Sequence, residues 1–187
     1  MRDTQEQYSG SESFRYVDRL LGGNDKELLI ISPYISDYYA HKLSKIRKKR
    51  IRIITSEGSL AEGTALGSLH KAPRSRYAKA ILYLAVLAVI FAYLDILYAV
   101  LAVLLIAVLV LLFMARTREQ STNIEIKATG RQFIHEKMYV GDKMAIVGSA
   151  NLTFSGMHKN IEHIEIIRDS AYIEKLRAHF EELWKTY

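Results

Sequence analysis

The apolar positions of this chain change their period several times, and each change predicts an element. Residues 13–21 have helical spacing and are stopped by Gly22-Gly23, which predicts a short amphipathic helix. Residues 27–34 (ELLIISPY) form a nearly unbroken apolar run ending near Pro33, the pattern of a buried parallel-type strand. Residues 37–49 return to helical spacing through Tyr39, Leu43 and Ile46, and 50–55 (RIRIIT) read as a second strand. Strand, helix and strand in that order predict a parallel pair with a right-handed crossover. Residues 57–68 are rich in Gly, Ser and Ala and read as a loop. Later, 123–128 (NIEIKA) alternate as a strand, while 133–140 and 144–147 predict a hairpin turning at Gly141-Asp142. Residues 160–168 predict another strand. Residues 171–184 predict a closing amphipathic helix, capped by Asp169-Ser170, with Leu176, Phe180 and Leu183 on its buried face. No internal repeat is present, and the pattern as a whole predicts an α/β fold.

Between the two halves, residues 80–114 carry Asp95 as their one charge. A single straight helix over that run would reach about 50 Å, well beyond a hydrocarbon core of about 30 Å. Two helices turning near Asp95 would each reach the minimum for a span and leave the carboxylate at an interface. Arg74, Arg76 and Lys79 precede the run, and Arg116 and Arg118 follow it. Positive charge at both ends predicts a transmembrane helical hairpin with the soluble domain and both termini cytoplasmic. The expected organisation is 1–76 as the first part of one α/β domain, 77–116 as the hairpin and 117–187 as the second part. The polar start, MRDTQEQYSGSESF, lacks the apolar core of a signal peptide.

The chain has 187 residues and a net charge of +6, which favours anionic partners such as phosphates, nucleic acid or acidic lipid surfaces. It has no cysteine, so disulfides, thiolate metal sites and thiol nucleophiles are excluded. The basic cluster Lys45, Arg47, Lys48, Lys49, Arg50 and Arg52 reads as a solvated helix end or as a site for nucleic acid or acidic headgroups. Tyr34, Tyr38 and Tyr39 either line a cleft or cover a sheet edge.

The stretch HEKMYVGDKMAIVGSAN carries the chemistry. On an extended segment, residues two apart share a face, so His135 and Lys137 point together and Glu136 points away. An imidazole can attack phosphorus and form a covalent intermediate. A neighbouring lysine can hold the non-bridging oxygens and offset charge in the transition state. Ser149 and Asn151, after Gly148, can add hydrogen bonds to the same oxygens. Glu162, on a later strand, can bond the other imidazole nitrogen and fix its tautomer.

With these residues in view, the stretch from Phe133 to Glu162 resembles the phospholipase D superfamily, whose signature is His-x-Lys-x4-Asp followed by Gly-Ser-x-Asn. It stands here as His135, Lys137, Asp142, Gly148, Ser149 and Asn151, with the later Asn160-x-Glu162 also similar, and Ser32-Pro33-Tyr34 resembles the end of the family's first strand. Five residues separate Asp142 from Gly148 where six are usual, a deletion that falls in the hairpin turn.

The resemblance implies catalysis by His135, Lys137, Asp142 and Glu162, with phosphate held by Lys137, Ser149 and Asn151, and no metal or cofactor. One histidine attacks to form a phosphohistidine while a second protonates the leaving oxygen. This chain has one copy of the motif; His41-Lys42, His70-Lys71 and His158-Lys159 have the wrong spacing. A complete site therefore implies a homodimer that brings two His135 side chains together on a two-fold axis. The expectation is a membrane-anchored phosphodiesterase with membrane lipid as a partner. Its phosphodiester substrate would be nucleic acid, which is favoured, or phospholipid. A membrane scaffold that binds phosphate-containing ligands without turnover is the reading from another class.

Overall fold

The computed structural model describes residues 5–61, 63–70, 123–130 and 133–187, together with Tyr83, Val86, Leu104, Leu105, Ala107 and Val108. The chain divides into two compact units, Met1–His70 with Asn123–Tyr187, and Lys71–Thr122. Every element described below belongs to the first unit.

Its strands are β1 (Gln5–Gly10), β2 (Glu27–Ile31), β3 (Arg50–Ser56), β4 (Ile124–Thr129), β5 (Met138–Val140), β6 (Ala145–Gly148) and β7 (Glu162–Ile167). Its helices are α1 (Phe14–Gly22), α2 (Asp37–Ser44), α3 (Ala65–His70), α4 (Phe154–His158) and α5 (Ser170–Thr186), with a 3-10 turn at Glu57–Leu60. The strands form one seven-stranded sheet in the order β1-β7-β6-β5-β2-β3-β4. The β2, β3 and β4 strands are parallel, and the remaining neighbours are antiparallel. This is a mixed α/β sheet flanked by helices.

Alternation along the strands divides the core into two layers. Leu28, Ile30, Tyr139, Ile146, Ile164 and Ile166 face one side, against Val17 and Leu20 of α1 and Tyr39 and Leu43 of α2. Leu29, Ile31, Met138, Val140 and Ile167 face the other, against Ile173 and Phe180 of α5. Asp169 caps α5 by accepting from the Tyr172 N–H at 2.8 Å, as its position predicts.

Three departures from the expected elements have local causes. The polar N-terminus supplies an edge strand, β1, which pairs antiparallel with β7. The stretch expected as a loop contains α3. Its first turn is capped from a distance, because the Asp37 carboxylate accepts from the Ala65 N–H at 2.7 Å, while the Thr64 hydroxyl accepts from Gly67 at 3.0 Å. Residues 133–137, expected as part of a strand, lie outside the ladder before β5. The neighbouring β2 stops at Ile31, paired to Met138. Beyond it Pro33, which has no N–H, turns its carbonyl towards the end of β3, where the Ser56 N–H and the Ser59 hydroxyl donate to it.

Among the described residues no helix is long and apolar enough to cross a membrane. This overturns the expected multi-pass placement with the soluble domain and both termini cytoplasmic. The 17-residue helix α5 carries Glu174, Lys175, Arg177, Glu181, Glu182 and Lys185 among its apolar positions. Such a helix is stabilised by packing one stripe on a sheet, and desolvating its charges in a bilayer would be costly. The expected hairpin itself, residues 80–114, lies outside the described residues apart from six scattered helical positions, all exposed.

Candidate active site

The chemistry-bearing residues gather where the C-terminal ends of β2 and β6 meet the N-terminal ends of β5 and β7. Gly148 closes this corner. A Cβ there would run into the His163 carbonyl and stand 2.8 Å from the Ile164 Cα, so only glycine lets β6 press this closely on β7. The Gly148 N–H then donates to the Lys137 carbonyl at 3.2 Å, and the Ser149 N–H to the His163 carbonyl at 2.9 Å. These two bonds bring the His135–Lys137 segment and the Ser149–Glu162 pair to one place.

His135 is exposed, and Lys137 lies beneath it with only 4% of its surface accessible. The Lys137 ammonium donates to the His135 backbone carbonyl at 2.7 Å. Burial lowers the Lys137 pKa from its ordinary value, and the charge of Glu162 works in the opposite direction. An ammonium has three donors, and one is used here. No carboxylate among the described residues lies within ion-pair distance of it. Glu136 points to the other face, as alternation predicts, and pairs with His179 of α5 at 2.9 Å.

Glu162 makes no hydrogen bond to the His135 ring. Its carboxylate accepts from the Ser149 hydroxyl and from the Asn160 amide at 3.2 Å. The Ser149 hydroxyl in turn accepts from the His163 N–H at 3.0 Å. Its one proton is therefore committed to Glu162, and its immediate effect is to hold that carboxylate. Asn151 follows on the same loop, with its side-chain oxygen buried and without a partner among the described residues. Unfilled polar capacity at Lys137 and Asn151 marks a place for a polar ligand.

Asp142 is not in this cluster. It lies in the β5–β6 turn, about 16 Å of extended chain beyond Lys137 and at the opposite end of the strands. There it accepts from the Lys26 N–H at 2.7 Å and from Arg177 at 3.0 Å. The basic residues Lys45, Arg47, Lys48 and Lys49 flank a cleft at that same far end. Arg52 is engaged elsewhere, by Glu27 and by the two oxygens of Glu181.

Several supporting contacts escape a reading of the sequence. The Ser32 hydroxyl donates to the Tyr34 carbonyl at 2.8 Å and accepts from the Leu152 N–H at 2.9 Å, tying the end of β2 to the Asn151 loop. The buried Tyr139 hydroxyl donates to the Ala150 carbonyl at 2.7 Å, supporting that loop from below. Tyr139 reads as one more apolar strand residue, so no sequence signal exposes its role. Tyr34 and Phe133 stand beside His135 as an exposed aromatic pair. Tyr38 is exposed against Phe154, whereas Tyr39 is part of the core.

At one end of this mixed sheet an exposed histidine and a buried lysine thus stand two residues apart. Residues 110–184 match the family described as "Cardiolipin synthase, PLD-like domain". The fold is similar to that of NucT from Helicobacter pylori, with 14% identity, a TM-score of 0.60, and coverage of 97% of this chain and 95% of that one. Nuc from Salmonella typhimurium, a phospholipase D family member, is similar with 12% identity, a TM-score of 0.58, and coverage of 97% and 95%. Phosphatidylserine synthase from Haemophilus influenzae shares 16% identity and a TM-score of 0.50, over 95% of this chain and 37% of that one. No curated protein matches the sequence.

Proposed function

We propose that the unit formed by residues 1–70 and 123–187 is a phosphodiesterase that works through a phosphohistidine at His135. The observation that carries this reading is the buried Lys137 ammonium. Its single hydrogen bond among the described residues goes to the backbone carbonyl of the exposed His135, and it has no ion pair there. A phosphodiester placed over it supplies the missing acceptors and leaves phosphorus open to His135. Glu162 and Ser149 hold the charge balance of the pocket, and Asn151 adds its amide. A metal-free route belongs to this proposal.

One histidine cannot both attack and protonate the leaving group in a single passage. The proposal therefore includes a homodimer with one site, in which the partner subunit's copy of the motif completes the acid. The favoured substrate is a polynucleotide. In support stand the net charge of +6 and likeness over nearly the whole length of both Nuc proteins. The second reading, transfer or hydrolysis on phospholipid, is favoured by the description of the matched family.

The test is turnover of labelled oligonucleotides and phospholipids by the purified protein, with His135→Asn as control. Acid-quenched samples are searched for phosphate on His135. Oligonucleotide cleavage with a trapped phosphohistidine, absent in the variant, supports the proposal. Equal turnover by His135→Asn rejects it, and binding without turnover of any substrate leaves the phosphate-binding scaffold.

A further inference from the structure

Beside His135, at the C-terminal ends of β2, β3 and β4, lies a cavity of about 300 Å³ lined by Tyr34, Ser56, Glu57, Gly58, Thr129, Gly130 and Phe133. None of the catalytic steps above uses it. We infer that this cavity is a subsite for the nucleobase next to the scissile phosphate, with Tyr34 and Phe133 as its stacking surface. The inference rests on the nuclease reading and names where that substrate is held.

Three observations carry it. First, the rings form a path: Tyr34 and Phe133 are 6.0 Å apart between centroids, and Phe133 and His135 are 6.1 Å apart. A base seated on the pair therefore stands one nucleotide's reach from a phosphate at His135. Second, the rings are open to a ligand, at 51% exposure for Tyr34 and 56% for Phe133. Large aromatic rings left this open beside a cavity are the usual platform for flat, uncharged π-systems. Third, the walls select against the other candidates. Glu57 puts a carboxylate in the wall, which disfavours a second phosphate there. Ser56, Glu57 and Thr129 make the interior too polar for an acyl chain. The Thr129 hydroxyl is buried without a partner among the described residues, consistent with a floor built for polar edges. A nucleobase combines a π-face for the rings with donors for the carboxylate.

The experiment uses the full chain and single-stranded oligonucleotides in which one linkage is a phosphodiester and all others are uncharged methylphosphonates. In matched pairs, the base on the 3′ side or the 5′ side of that linkage is kept or replaced by an abasic tetrahydrofuran. The expected result is a kcat/KM ratio, base over abasic, of about tenfold or more on one side. The Tyr34→Leu/Phe133→Leu variant is expected to bring that ratio close to one. Phe133→Tyr, which keeps a ring, is expected to retain it. The double variant should elute at the wild-type volume in size-exclusion chromatography. A wild-type ratio near one on both sides, with both oligonucleotides cleaved, overturns the subsite while the nuclease reading stands. An unchanged ratio in the double variant overturns it too, as does a shift of that variant to a different oligomeric size. Cleavage of neither oligonucleotide removes the nuclease reading and the subsite together.

Discussion

The side-chain ammonium of Lys137 donates to the backbone carbonyl of His135 at 2.7 Å, so the motif lysine is folded back onto the segment that carries the motif histidine. The bond ties the group proposed to hold phosphate to the backbone of the residue proposed to attack it. It also places the lysine where water is scarce, which gives it a distinctive pH behaviour.

Burial lowers the Lys137 pKa below its ordinary 10.5, so the ammonium loses its proton earlier than an exposed lysine as pH rises. If the charged form binds phosphate, kcat/KM falls on the alkaline side below pH 10.5, and free-enzyme groups set that limb. Lys137→Arg keeps its charge throughout and is expected to remove the alkaline fall, at a lower plateau rate. A pH profile of both proteins from about pH 6 to 10.5 reads this directly; the same limb in both would exclude Lys137 as its source.

A site shared by two chains has a signature in mixtures. When wild-type and His135→Asn chains are unfolded together, refolded and assayed, a site that needs both histidines gives activity proportional to the square of the wild-type fraction. An equal mixture then retains about a quarter of the activity rather than half. Retention of half would mean that each chain works alone.

Ser149 spends its proton on Glu162, so its removal should act through that carboxylate. Ser149→Ala is expected to lower kcat/KM by about ten- to a hundredfold, the worth of a hydrogen bond to a charged group. The loss should fall mainly on kcat, and Ser149→Thr should restore part of it. A loss confined to KM would instead assign the hydroxyl to the substrate phosphate.

Asp142 stands at the far end of the strands, holding Lys26 and Arg177. Asp142→Ala should therefore lower the unfolding free energy by about 1–2 kcal/mol and leave kcat/KM near wild type. Denaturant melts and initial rates on the same preparation separate the two effects. A large fall in kcat at unchanged stability would return Asp142 to the chemistry.

Hydrogen bonds from Arg52 hold the Glu181 carboxyl below its usual 4.5. Because the folded value is the lower one, the pair's contribution is complete above the unfolded value and is lost as pH falls through the folded one. Stability curves of wild type and Glu181→Gln should therefore run parallel from about pH 7 to 5.5 and converge below about pH 4.5. Convergence on the alkaline side instead would contradict this sign.

Much of the fold, and the residues of the candidate site, could be read from the chain. Apolar periods placed β2, α2, β3, β6 and α5, the Gly141-Asp142 signal placed the hairpin, and the motif named His135, Lys137, Ser149, Asn151 and Glu162. Those features are local, because the period of burial and the chemistry of a turn are written within a few residues. What depends on distant partners was not legible. β1 is a polar segment made into a strand by β7, and α3 begins where Asp37 caps it from another helix. Lys137 is buried although it is a charged residue on a segment outside the ladder, which nothing in its neighbours along the chain announces. Asp142 is moved away from the site by the four residues of β5 and Gly141. The aromatic pair Tyr34–Phe133 joins residues a hundred positions apart. Sequence alone determined which groups this chain carries and the local backbone on which they sit. Long-range hydrogen bonding and packing decided which groups meet, which are buried, and therefore which can act.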